Sequence, residues 1–240
     1  MPTTPSDVAP RERIIVALDM PTVDDARAMV RQLGDSIGFY KVGLELVMSG
    51  GLDLVRELKT DGLRVFLDVK FLDIGNQVQR AVAAAARSGA DFLTVHATDS
   101  KTLAAAAAAG AEGTGLKVLG VTVMTNLGAE DLAEQRVALR PQDLVAHRAG
   151  LVAESGCHGV IASGQEAAAV RAILGPEKLV VTPGIRMTDD VAGDQLRITT
   201  PQQAIADGAD YLVVGRPITG AKDPKAAADR FANAIADTAN

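Results

Sequence analysis

The 240-residue chain carries 24 Lys and Arg against 30 Asp and Glu, a formal net charge of -6, which argues against a nucleic-acid-binding surface. With 48% apolar and 22% charged residues it has the balance of a soluble enzyme able to bury a full core, and no apolar run nears the roughly 20 residues that a membrane span needs. Cys157 is the sole cysteine, which excludes an internal disulfide or a cysteine-built metal cluster and favours a reducing compartment. It reads as a small buried hydrophobe.

Residues 1–12 are polar and Pro-rich and lack the apolar centre of a signal peptide, so they read as a disordered tail ahead of one catalytic domain over 13–240, in a cytoplasmic protein. Short strand-favouring runs then recur in chain order: RIIVALD from Arg13, IGFYKVG from Ile37, LRVFLDVK from Leu63, DFLTVHA from Asp91, KVLGVTVM from Lys117, HGVIAS from His158, KLVVTPG from Lys178 and DYLVVGR from Asp210. Between them lie amphipathic helical patterns such as TVDDARAMVRQLG and PQDLVAHRAGLVAESG, several closing on the Gly that suits a helix C-cap. The alanine tract Ala104 to Ala109 marks a plain structural helix. Strict alternation of strand and helix predicts a parallel sheet, and eight such units predict a single-domain α/β fold, the (β/α)8 TIM barrel. A doubly wound open sheet would not favour eight units, and no Gly-x-Gly-x-x-Gly turn follows the first strand.

A barrel places its active site where strands end and the next loops begin. There the sequence sets Asp19, Lys41, Asp68, Lys70, His96, Thr125, Asn126, Ser163, Arg186, Gly215 and Arg216. Two connections, from Met124 to about Arg140 and from Gly184 to about Thr200, exceed the roughly 2 to 6 residues usual for such loops and are candidates for a lid. The first also holds a helical pattern, AEDLAEQRV.

In RVFLDVKFLDIGN, Arg64 to Asn76, a core strand ends in three charges, each costly to bury unless paired or in use. Asp68 and Lys70 are two apart, so their side chains share one side of the strand while Val69 points away. Asp73 falls near the start of the next helix, where an acid also suits the helix dipole. Asp-x-Lys-x-x-Asp alone is equally compatible with a structural salt bridge. Lys41 on the neighbouring strand tips the balance, because adjacent strands lie roughly 5 Å apart and two cations then converge on an anion. For an anionic ligand group, barrels favour the loops after strands seven and eight. Gly215 there admits backbone amides to a phosphate and Arg216 can hold it bidentately, with Arg186 and Gln195 in the preceding long loop. His96 reads as pocket wall rather than metal ligand, having no second His or Cys near it in sequence, and His147 and His158 read as structural.

The segments LDVKFLDI, with KVG upstream and VTPGIR, GDQLRITTP and VVGRPI downstream, resemble the bacterial orotidine 5'-monophosphate decarboxylases over nearly the whole chain. Asp-x-Lys-x-x-Asp is shared with sister families acting on sugar phosphates, and the downstream segments make the resemblance specific. The resemblance implies cofactor-independent, metal-free loss of CO2 from orotidine 5'-monophosphate. In it Lys70 would donate a proton to C6, and Lys41, Asp68 and Asp73 would complete an alternating-charge network. It implies a homodimer in which Asp73 and Ile74 enter the neighbouring subunit's site. Asp19 and Lys41 would hold ribose hydroxyls, Thr125 would cap the base, and Arg186, Gln195, Gly215 and Arg216 would receive the phosphate. Two positions depart from the family pattern: Asn126, where Thr-Ser is common, and Gln77, where a threonine usually contacts the ribose. An amide both donates and accepts, so Asn126 can substitute for a hydroxyl.

Two rival readings remain at this level. A metal-dependent sugar-phosphate enzyme of the sister type would stabilise an enediolate, but Lys41 would repel the metal. A silent nucleotide- or phosphate-binding barrel would gain little from confining Lys41, Asp68, Lys70 and Asp73 together.

Overall fold

In the computed structural model, residues 8–110, 113–188 and 197–238 are described. Eight parallel strands close into one barrel in sequential order, with β8 paired to β1. Their bounds are β1 Ile14–Ala17, β2 Phe39–Gly43, β3 Arg64–Phe71, β4 Phe92–His96, β5 Lys117–Val121, β6 Gly159–Ile161, β7 Leu179–Thr182 and β8 Tyr211–Val214. The helices are α1 Val23–Leu33, α2 Leu44–Leu46, α3 Leu52–Thr60, α4 Gly75–Ala86, α5 Ser100–Gly110, α6 Ala129–Glu134, α7 Pro141–Ser155, α8 Ala167–Leu174, α9 Pro201–Ala206, α10 Arg216–Thr219 and α11 Pro224–Ala236. A helix follows each strand around the outside, the one after β7 being short, while α2, α6 and α10 are additions in the βα connections. The chain is therefore the single-domain (β/α)8 barrel that its alternating pattern predicts, with the alanine tract inside α5 and AEDLAEQRV giving α6.

Local chemistry sets the helix ends. Thr22 caps α1 by accepting from the Asp25 amide at 3.1 Å, ahead of two acids in the first turn. Pro141 opens α7, and Gly156 closes it at φ 84°, a left-handed turn that a Cβ would penalise. The start of the chain differs from expectation. Residues 1–7 lie outside the described residues, but Pro10–Arg13 form a 3-10 turn rather than extending a tail to residue 12. Long-range contacts hold the turn: Arg11 pairs with Asp229 on α11 at 3.1 Å, and Arg13 donates to the carbonyls of Ala209 and Asp210.

The core has two compartments. Outward-facing strand residues such as Val16, Val65, Leu93 and Val180 pack beneath the helices. Inside the barrel lie Ile15, Ala17, Phe39, Phe66, Phe92, Leu119, Val121, Ile161, Leu179, Val181, Tyr211 and Val213. The lower mouth, at the strand starts, is closed by aromatic rings. Phe92 meets Phe39 edge-on at 5.0 Å and Tyr211 at 5.3 Å, and the Arg64 guanidinium lies 4.1 Å from the Phe39 ring centre and 5.2 Å from that of Tyr211. Only the upper mouth is left for polar chemistry.

Candidate active site

Registration of the first strands brings the charges together. Ala17 pairs with Lys41 and Lys41 with Phe66, all facing inward, and Gly43 pairs with Asp68 one level higher. Lys41 sits in the middle of β2 rather than at its end, and its long side chain climbs to the mouth. Its Nζ lies 2.6 Å from Asp19 Oδ1 and 3.5 Å from Asp68 Oδ2. Gly43 makes room for this pair: a Cβ there would come within 2.9 Å of Asp19 Oδ1 and 3.0 Å of Lys41 Nζ. Lys70 Nζ donates to both Asp68 oxygens at 2.8 Å, so Asp68 is clasped by two ammonium groups.

The way Asp68 and Lys70 come to share a side differs from simple alternation. Leu67 pairs with Leu93 and Phe71 with Val95, so three residues of β3, Asp68, Val69 and Lys70, face the single residue Thr94 on β4. This bulge puts Lys70 in left-handed backbone at φ 48°, a conformation that costs a non-glycine residue on the order of 1–3 kcal/mol and persists where surrounding contacts enforce it. The alternation rule names the right pair, and the bulge supplies the geometry. Thr94 is buried, and sequence reasoning gave it no role.

Electrostatics follow from burial and pairing. Burial pushes the Asp68 carboxyl up, but Lys41, Lys70 and the hydrogen bonds from Lys70 and Thr94 outweigh it and hold Asp68 below its ordinary value. Burial likewise pulls Lys41 down, and attraction to Asp68 and Asp19 reverses this and leaves it raised. Both are charged near neutrality. His96, half-buried at the end of β4, is pushed down by burial and then by Arg148 and Lys70, so it is a neutral imidazole at neutral pH. Among the described residues no group of three His, Cys, Asp or Glu is placed to hold a metal ion.

Two cavities open side by side at this mouth. One, of about 240 Å³, is lined by Asp19, Lys41, Asp68, Lys70 and Thr125 together with apolar walls from Phe66, Val121, Val123, Met124, Ile161 and Val213. The other, of about 310 Å³, is lined by Asp19, Gly184, Arg186, Gly215, Arg216 and Thr219, and the two share Ala17 and Asp19. Arg186 is 8% exposed, with one guanidinium nitrogen 2.8 Å from the Ile185 carbonyl. The first cavity pairs apolar walls with a charged edge, and the second presents two arginines.

Other residues singled out in the sequence stand apart in the single chain. Asp73 is exposed and its Oδ1 accepts from the Ile74 amide at 2.6 Å. Ile74 is 74% exposed, Gln77 is exposed with its Oε1 receiving Arg80 at 2.6 Å, and Asn126 is exposed beside the first cavity's Thr125 without lining it. Gln195 lies outside the described residues. Cys157 is buried and free, His158 accepts the Val118 amide at 3.1 Å, and His147 is exposed on α7.

A cross-loop contact also escaped sequence reasoning. Arg197, buried after β7, donates to Glu166 Oε1 at 2.7 Å and to the Val123 and Met124 carbonyls at 3.2 and 2.9 Å. It thereby ties together the segments after β5, β6 and β7. No local signal announces a pair 31 residues apart.

Comparison with known proteins agrees with this geometry. Residues 12–231 match the model of the orotidine 5'-phosphate decarboxylase / HUMPS family. An orotidine 5'-phosphate decarboxylase of Bradyrhizobium sp. strain BTAi1 is 50% identical over 232 residues, covering 97% of this chain and 95% of the relative. One from Rhodopseudomonas palustris strain BisB5 is 50% identical over 231 residues, 96% of this chain and 97% of the relative. The crystal structure of the orotidine 5'-phosphate decarboxylase from Lactobacillus acidophilus superposes with a TM-score of 0.83 at 34% identity, covering 93% of this chain and 99% of that one. With the barrel, the clasped Asp68 and the paired cavities already in place, the chain belongs to the orotidine 5'-phosphate decarboxylase / HUMPS family.

Proposed function

We propose that this chain converts orotidine 5'-monophosphate to uridine 5'-monophosphate and CO2, the last step of de novo pyrimidine nucleotide synthesis, as a carboxy-lyase that needs no cofactor. The observation that carries this reading is the adjacency of the two cavities: a charge-edged slot and a two-arginine recess meet at Asp19, matching a pyrimidine and a phosphate joined by a ribose.

In this reading the pyrimidine enters the slot with Thr125 over the ring, Asp19 and Lys41 hold ribose hydroxyls, and Arg186, Gln195, Gly215 and Arg216 receive the phosphate. The C6–carboxylate bond breaks, its electron pair stays on C6, and Lys70 delivers a proton there as CO2 leaves. An ammonium about 4 Å from the developing charge contributes about 4 kcal/mol at an effective dielectric near 20, against the roughly 8 to 23 kcal/mol by which enzymes lower barriers. Binding of the phosphate and ribose and exclusion of water must supply the rest.

The second half of the charge network comes from a partner copy. No ion pair joins Asp73 to Lys41 or Lys70 among the described residues, yet it stands beside Leu72 and Ile74, 60% and 74% exposed, and Leu44 and Met48 in the connection after β2 are exposed as well. Covering these apolar side chains in a homodimer would carry Asp73, Ile74 and Gln77 to the neighbouring site. No helix among the described residues is long and apolar enough to cross a membrane.

A metal-assisted reading is disfavoured because the Lys41 ammonium already occupies the space between Asp19 and Asp68. Loss of orotate absorbance on adding enzyme, undiminished by EDTA, is the expected result; no decarboxylation, or activity abolished by chelator, overturns the reading. Arg216→Ala should cut turnover of the phosphorylated substrate and leave a phosphate-free nucleoside almost unaffected, and equal losses would remove Arg216 from the phosphate site.

A further inference from the structure

We infer that Thr94 is a positioning residue for the reaction: its single hydroxyl fixes both the Asp68 carboxylate and the left-handed backbone of Lys70, and thereby aims the Lys70 ammonium at the substrate. The inference rests on the decarboxylase reading of the Asp68–Lys70 site and extends it to a residue that never reaches the ligand. Thr94 has no exposed surface and does not line either cavity.

The hydroxyl both donates and accepts. Thr94 Oγ1 donates to Asp68 Oδ1 at 2.9 Å and accepts from the Lys70 amide at 2.9 Å. A threonine hydroxyl has one proton to give, and here the acceptor and the donor are the two halves of the ion pair. The bulge explains why a side chain is needed. With three β3 residues opposite one on β4, the regular ladder is broken at the Lys70 amide, and Thr94, the lone residue opposite, restores the missing acceptor from its side chain.

Two features make this a matter of aim rather than general packing. Lys70 and Arg136 are the non-glycine residues with positive φ among those described, so the Lys70 backbone sits where it would relax if its amide were released. Asp68 Oδ1 receives both Thr94 and Lys70, so rotating the carboxylate moves the ammonium with it. A displacement of about 1 Å at a reacting group can cost on the order of 10²-fold in rate.

The test compares Thr94→Val, which keeps the shape and removes both hydrogen bonds, with Thr94→Ser, which keeps them. Wild-type turnover measured alongside tests the decarboxylase reading itself, so the two failures are distinguishable. For Thr94→Val, kcat should fall by about 10²-fold, while the Kd for uridine 5'-monophosphate stays within about threefold of wild type because Asp19, Arg186 and Arg216 lie in the segments after β1, β7 and β8, away from the β3–β4 bulge. Thr94→Ser should recover most of kcat. A readout independent of turnover is the carbon-13 NMR titration of the Asp68 carboxyl, which should move up in Thr94→Val and return in Thr94→Ser. Unchanged kcat and unchanged Asp68 titration in Thr94→Val would overturn the inference, as would equal losses in the serine variant. If Thr94→Val does not fold, Thr94→Ala replaces it; failure of both to fold while Thr94→Ser folds assigns the hydroxyl to stability alone and also overturns the inference.

Discussion

The two mouths of the barrel are built by the same strands and solve opposite problems. On β2, Phe39 faces the lower mouth and Lys41 the upper; on β3, Arg64 and Phe66 lie below Asp68; on β4, Phe92 lies below Thr94. Below, the half-buried Arg64 guanidinium rests on ring faces and donates to the Tyr211 hydroxyl at 3.4 Å, so the rings' negative faces and a neutral acceptor stand where a carboxylate would otherwise pair with it. Above, each ammonium is matched to a carboxylate, and the backbone departs from regular pairing to make the match. One end of a strand can thus be optimised for cohesion while the other, a turn of the pleat or two further on, holds charge in a costly arrangement.

The sharpest way to break the comparison is to remove the ammonium above. Lys70→Ala should lower kcat by at least about 10⁴-fold, the upper range for a positioned proton donor, with the circular-dichroism spectrum and unfolding midpoint near those of wild type. Loss of folding in step with activity would show the upper mouth to be structural after all.

Next in size is the opposite operation below. Phe92→Ala removes the ring that meets Phe39, Phe66 and Tyr211 and should cost about 3–5 kcal/mol in urea unfolding, while kcat per folded molecule changes less than threefold. A proportionate loss of kcat would mean that the two ends are coupled through the barrel interior.

A smaller effect is expected for Arg64→Met, which keeps the apolar stem and removes the cation: about 0.5–2 kcal/mol of stability by denaturant titration, with turnover unchanged. The smallest effect is an absence of titration. Asp68 is lowered, so its contribution is complete above the ordinary carboxylate range and lost only as pH falls through its lower folded value. Lys41 is raised, so its contribution is complete below the ordinary lysine value and lost only as pH rises through its higher one. The stability difference between wild type and Asp68→Asn should therefore be flat from about pH 5 to 9, shrinking in stronger acid as Asp68 is protonated and in stronger base as Lys41 loses its proton. A midpoint for this difference near pH 6 to 7 would contradict the clasped geometry.

How far the sequence discloses this molecule depends on the range of the contacts involved. Each strand and helix carries its own period, cap or terminating glycine, so the eightfold repeat is legible from local signals, as is the gathering of Asp19, Lys41, Asp68 and Lys70 at one mouth. The bulge is less legible: RVFLDVKF reads as a regular strand, and the two extra residues appear only when β3 is laid beside β4. Thr94 has meaning only opposite that bulge. Arg197 is an ordinary basic residue in GDQLRITTP until Glu166 and the Val123 and Met124 carbonyls surround it. The ordered turn at Pro10–Arg13 likewise depends on Ala209, Asp210 and Asp229, roughly 200 residues away in the chain, which composition cannot reveal.

The rings and guanidinium sealing the lower mouth have a consequence for traffic. With the axis of the cylinder stoppered, substrate entry and both departures share one doorway. In the decarboxylase reading proposed above, the liberated gas then has to pass beside the nucleotide toward the upper mouth instead of draining through the floor.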